Sequence, residues 1–68
     1  MTVHTVTVKG ESRVVSRFLP HNYVVVGEDV ERGTTTFQGE DEHGWTLEDY
    51  VLPRLSSGWI FPVEVISE

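Results

Sequence analysis

The residues best able to do chemistry in this sequence are its carboxylates. Two near-repeated words, VGEDVE at residues 26–31 and QGEDEH at residues 38–43, collect Glu28, Asp29 and Glu31 in one group and Glu40, Asp41 and Glu42 in another. Grouped carboxylates can hold a hard divalent cation, share a proton in acid–base catalysis, or attract the basic side chains of a protein partner. Metal binding is poorly supported. Asp29-Val30-Glu31-Arg32-Gly33 echoes the first half of an EF-hand loop, but the second ligand is Glu and the flanks read as strands. His4, His21 and His43 show neither HxH nor HExxH spacing and are expected at exposed or partly packed positions.

Covalent catalysis is equally short of parts. The chain has no cysteine, which excludes thiolate metal sites, disulfides and cysteine nucleophiles. Ser12, Ser16, Ser56 and Ser57 lack a nucleophile-elbow context, and no glycine-rich phosphate loop is present. A chain of 68 residues scarcely encloses the concave cleft that a catalytic carboxylate pair requires. The expectation is therefore a noncatalytic protein with no cofactor.

Charge points to the class of partner. Residues 1–26 carry Lys9, Arg13 and Arg17 against Glu11, whereas residues 27–68 carry ten carboxylates against Arg32 and Arg54. A net charge of −6 repels phosphate backbones, so direct nucleic-acid binding is disfavoured and a basic protein surface is the natural partner. Aromatic and apolar residues supply the second half of such a contact. Leu52 is expected to point away from the buried face of its helix, and Trp59 either joins the core or centres a contact patch rimmed by carboxylates. The partner-binding candidates are thus Glu28, Asp29, Glu31, Glu40, Asp41, Glu42, Leu52 and Trp59.

The elements that must position them read as mostly strand. Thr2-Val3-His4-Thr5-Val6-Thr7-Val8 alternates and is β-branched, and RVVSRFL at 13–19 reads as a second strand ending at Pro20, giving an N-terminal hairpin. Tyr23–Val26 and Thr34–Gln38 form a second hairpin whose turn surrounds Glu31 and Arg32, with Gly33 in the left-handed position and Val26 near Phe37. If these strands are fully extended, the two acidic words lie at opposite ends of the hairpin.

Thr46 reads as a helix N-cap with Asp49 three residues on, and Trp45 and Tyr50 stand at the two positions of a hydrophobic staple. Leu47, Tyr50, Val51 and Leu55 share a face, while Pro53 requires the helix to bend or restart before Gly58 ends it. The run Trp59–Ile66 then forms a last strand whose Pro62 puts it at an edge or a bulge.

The expected fold is one compact α+β domain over residues 1–68. It is a small antiparallel β-rich domain of about five strands in two hairpins, with one short helix near 47–57 before the last strand. The one-turn helix before that strand and the word SSGWIFP resemble an SH3-type barrel, which implies an open-barrel alternative. The aromatic motifs of a proline-peptide reader are missing.

Three functions follow as expectations. The first is a noncatalytic interaction module, an inhibitor, adaptor or regulator that binds a basic protein surface. The alternatives are a nucleic-acid mimic that blocks a DNA-binding protein and a small metal-dependent enzyme using histidines and carboxylates. Self-association into a homodimer is expected to help so small a core. Neither a signal peptide nor an apolar run of membrane-spanning length is visible, so a cytoplasmic location is expected. The span from Met1 to Glu68 reads as a complete small gene product of the kind phages and other mobile elements encode.

Overall fold

The computed structural model describes residues 2–41 and 44–68. Four strands form one antiparallel sheet: β1 (Val3–Lys9), β2 (Tyr23–Asp29), β3 (Thr34–Glu40) and β4 (Pro62–Ser67), in the order β2-β3-β1-β4. Between β1 and β2 lie α1 (Ser12–Val15) and a 3-10 turn, Ser16–Phe18. Between β3 and β4 lie a π-helical turn, Leu47–Val51, and α2 (Leu52–Ser57). The fold is α+β, with four strands instead of about five. The sheet is open, with β2 and β4 as free edges, so the barrel alternative does not hold.

The missing strand is the segment read as extended at 13–19. Val14, Val15, Phe18 and Leu19 stand at helical spacing, and this period prevails over the β-branched composition. Val15 is fully buried, and Val14, Phe18 and Leu19 pack around the core. Leu19 returns to extended backbone directly before Pro20. No N-terminal hairpin forms; β1 pairs instead with β3 on one side and β4 on the other.

Strand alternation sorts the side chains. His4, Val6 and Val8 of β1 share the covered face with Thr35 and Phe37 of β3 and Tyr23 of β2, and Val15, Leu47, Val51, Leu55 and Ile60 from the other segments pack onto the apolar members. The opposite face is polar along the central strands, with Val24 and Ile66 exposed on the edge strands beside them. There Thr7 and Thr36 share a 2.9 Å hydroxyl hydrogen bond and Gln38 donates to Thr5 at 3.1 Å. The β2–β3 hairpin turns through Gly33 at φ 66, as its position predicts. Its register differs by one residue from the expected pairing: Val25, not Val26, faces Phe37, because a bulge between Val25 and Gly27 displaces Val26.

The proline inside the helix is accommodated by a change of pitch. Thr46 caps the start, its hydroxyl accepting from the Asp49 amide at 3.0 Å, and Trp45 stacks on Tyr50 with ring centroids 4.7 Å apart. The next turn is wide, with the Val51 amide donating to the Thr46 carbonyl at 3.2 Å. Pro53 then falls in the first turn of α2, directly after the wide turn, the position in a helix that best tolerates a missing amide.

The helix ends in a Schellman motif. Ile60 N–H donates to Leu55 C=O at 2.9 Å and Trp59 N–H donates to Ser56 C=O at 3.0 Å. Gly58 precedes the left-handed residue instead of occupying it. A side chain there would strike the Phe18 ring, since a Cβ would lie 2.6 Å from Cζ.

Gly39 is a second close approach, and it seats Tyr23. A Cβ at Gly39 would meet the Tyr23 ring at 2.6 Å and the Asn22 carbonyl oxygen at 2.7 Å. Gly39→Ala is expected to cost about 1–3 kcal/mol by overpacking. Gly27→Ala meets nothing within 4 Å and should change stability by less than about 0.5 kcal/mol. Urea titration of the two variants checks the contrast.

Candidate functional site

The chemistry-bearing groups gather at the end of the sheet where β1 begins and β3 ends. His4 is carried inward by the same alternation that buries Val6 and Val8, and only 7% of it is exposed. Its Nδ1 shares a 2.8 Å hydrogen bond with Ser67 Oγ of β4. Asp41, directly after β3, brings Oδ2 to 3.0 Å from His4 Nε2, but this contact is not aligned as a hydrogen bond. The other carboxylate oxygen of Asp41 accepts from Tyr23 Oη at 3.1 Å and from the Leu47 amide at 3.0 Å. One polar chain thus joins β4, β1, β3, β2 and the helix start.

The electrostatics follow from those contacts. Asp41 is held below its ordinary value of 3.8, first by the His4 imidazole beside it and then by the Leu47 amide and Tyr23 hydroxyl, with desolvation opposing. Burial pushes the Tyr23 phenol up, and its bond to Asp41 and the carboxylate's charge push it further.

A cleft of about 310 Å³ opens beside this chain, lined by Thr2, His4, Asp41, Thr46, Leu47, Glu48 and Asp49. Among the described residues that line it, three of seven are acidic and none is Lys or Arg. Glu48 and Asp49 are there because the first turn of a helix favours negative side chains. Ser67 is bonded to His4 yet does not line the cleft, so its hydroxyl serves the polar chain and does not face the space a substrate would occupy. Among the described residues no group of three His, Asp or Glu side chains is placed to hold a metal ion.

The two acidic words are separated. Glu28, Asp29 and Glu31 lie at the hairpin tip, and Glu40 and Asp41 lie at the far end of β3, roughly 20 Å away at the usual strand rise. Two of the three tip carboxylates are already engaged. Asp29 pairs with Arg32 at 3.6 Å, and Glu28 accepts from the Ser12 amide at 3.0 Å. Lys9 ends β1 at the same level, opposite Thr34. Asp41 is a half-buried structural acceptor as well as an acidic lining residue. Glu42 and His43 lie outside the described residues.

The apolar candidates also divide. Leu52, expected to point outward, is half-buried and packs against the core, because the wide turn before it rotates the helix face. Trp59 is not core: it is 85% exposed and sits at φ 62, the left-handed region. Sequence reasoning missed His4, although its parity with Val6 and Val8 was a usable signal. Glu48 and Asp49 were legible as helix-start residues, but not as neighbours of Asp41.

Comparison with family models, curated proteins and solved structures found no match to this chain. No helix among the described residues is long and apolar enough to cross a membrane.

Two predictions follow from this geometry. Because the folded Asp41 titrates below its ordinary value, the unfolded chain binds more protons between the two values. The Asp41 contribution to stability is therefore complete above the ordinary value and is lost as pH falls through the lower folded value. Urea midpoints taken from pH 7 to pH 2 should show the wild-type advantage over Asp41→Asn constant near neutrality and vanishing in acid. Separately, Trp59→Gly relieves a left-handed position costing about 1–2 kcal/mol and removes little packing. It should raise the thermal midpoint, which calorimetry would register.

Proposed function

We propose that the protein is a noncatalytic interaction module, an inhibitor, adaptor or regulator, that binds a basic protein surface through this acidic cleft. The supporting observation is the lining itself: Asp41, Glu48 and Asp49 converge on one concavity with no Lys or Arg among its described lining residues. Beside them His4 Nε2 is buried and has no aligned hydrogen-bond partner. An inserted ammonium or guanidinium group would give the three carboxylates a counter-charge.

The surroundings favour the same sign of partner. Glu40 and Glu68 stand at this end of the sheet on its opposite face, extending the negative field around the cleft. Such a field steers a basic partner and weakens with salt. Carboxylates at the hairpin tip, partly offset by Lys9 and Arg32, contribute less to this attraction.

Affinity capture with salt-step elution would identify the partner, and a lysine- and arginine-rich peptide serves as the defined probe. NMR titration with that peptide is expected to shift the His4 and Leu47 resonances, with affinity falling as salt rises. Glu48→Lys combined with Asp49→Asn should abolish the effect. Glu28→Lys combined with Glu31→Lys should leave most of it. Equal losses from both pairs of substitutions would show that net charge, not the cleft, does the binding.

A further inference from the structure

The two edges of the sheet are treated differently. On β2 the bulge at Val26, followed by Gly27, Glu28 and Asp29, interrupts any added strand, as protected edges commonly do. On β4 every residue is exposed, and the apolar side chains Val63 (63%), Val65 (44%) and Ile66 (48%) run along it, with Phe61 (55%) just before its start. The helical layer covers β1 and β3 but stops short of β4, so Val65 lies on the covered side of the sheet and is still half open to solvent.

We propose that this edge pairs with the same edge of a second copy, making a two-fold dimer with one continuous eight-stranded antiparallel sheet. The proposal is independent of the acidic cleft. Backbone parity carries it. Val3 and Glu68 exchange both of their backbone hydrogen bonds, at 3.1 and 2.9 Å. Alternation along an antiparallel pair then makes Thr5–Ile66 and Thr7–Glu64 the other bonded pairs. The amides and carbonyls of Val65 and Ser67 therefore point away from β1, toward the open edge. Val63, skipped by the bulge between Thr7 and Val8, has no partner on β1.

Charge selects the register. Centring the two-fold axis on Val65 pairs it with Val65 of the second copy, Val63 with Ser67, Glu64 with Ile66 and Pro62 with Glu68. No two carboxylates are then directly opposed. Sliding the strands one way sets Glu64 against Glu64, and sliding them the other way sets Glu64 against Glu68; like charges directly opposite are unfavourable. With the axis perpendicular to the sheet, both helical layers lie on the same side. The Val63 and Val65 side chains of the two copies then fill the trough between them. Ser67 is held for this role by its bond to His4. The same operation brings Phe61 and Trp59 of each copy toward the acidic end of the other.

Sedimentation equilibrium on the 7.7 kDa chain is expected to give twice that mass, with dissociation on dilution. Val65→Lys opposes two ammonium groups across the axis and should raise the dissociation constant on the order of 100-fold. Because the chain has no cysteine, Val65→Cys is a single-site reporter that should form a covalent dimer on mild oxidation, whereas Val24→Cys on the other edge should not. A folded wild-type chain of single mass throughout the concentration range overturns the proposal. So does a doubled mass that Val65→Lys leaves intact while Val65→Cys stays uncross-linked.

Discussion

A buried imidazole is costly unless polar groups gather around its nitrogens, and the arrangement around His4 follows from that constraint. Ser67 meets Nδ1, Asp41 approaches Nε2, and Tyr23 and the Leu47 amide then occupy the remaining acceptor capacity of Asp41. Each partner belongs to a different element, so the polar chain acts as a clasp across the end of the sheet. Hydrophobic contacts among Phe37, Val6, Val51 and Leu55 supply most of the driving force for burial, but they do not by themselves fix where β4 ends or where the helix begins. Directional hydrogen bonds in a low-dielectric site do.

The clasp leaves Nε2 without an aligned donor or acceptor, and it does so at the wall of a cleft rimmed with carboxylates. Structural and recognition demands meet at Asp41. Its charge stabilises the fold through local contacts and also sums with Glu48 and Asp49 toward solvent. The molecule is electrostatically lopsided as a result, with Lys9 and Arg32 at the hairpin end and no Lys or Arg among the described residues that line the cleft. A field of that shape orients an approaching partner before contact.

Much of this was legible in the sequence. Thr46, Asp49, Trp45 and Tyr50 announced the helix start, and Gly33 announced the hairpin turn, because each acts through neighbours a few residues away. Pro53 correctly signalled an irregular helix. The sequence was misread wherever tertiary packing chose between local options. Residues 13–19 are β-branched enough to pass for a strand, but burial of Val15 against the sheet favoured a helix. The Val26 bulge shifted a register that composition alone could not fix. The cleft was invisible because Asp41 and Glu48 are brought together by the Asp41–Leu47 hydrogen bond, a contact that no periodicity predicts.

Placing β1 at the centre of the sheet has a kinetic side. Its partners are residues 34–40 and 62–67, so both of its ladders join segments far apart in the chain. Only the β2–β3 hairpin and the short helices can form from neighbouring residues. Loop closure must be paid for before the central strand gains either partner, which places this small chain among the slower folders for its length. Threonines on the polar face of β1 and β3 keep the unfinished sheet from presenting a second apolar surface during that interval.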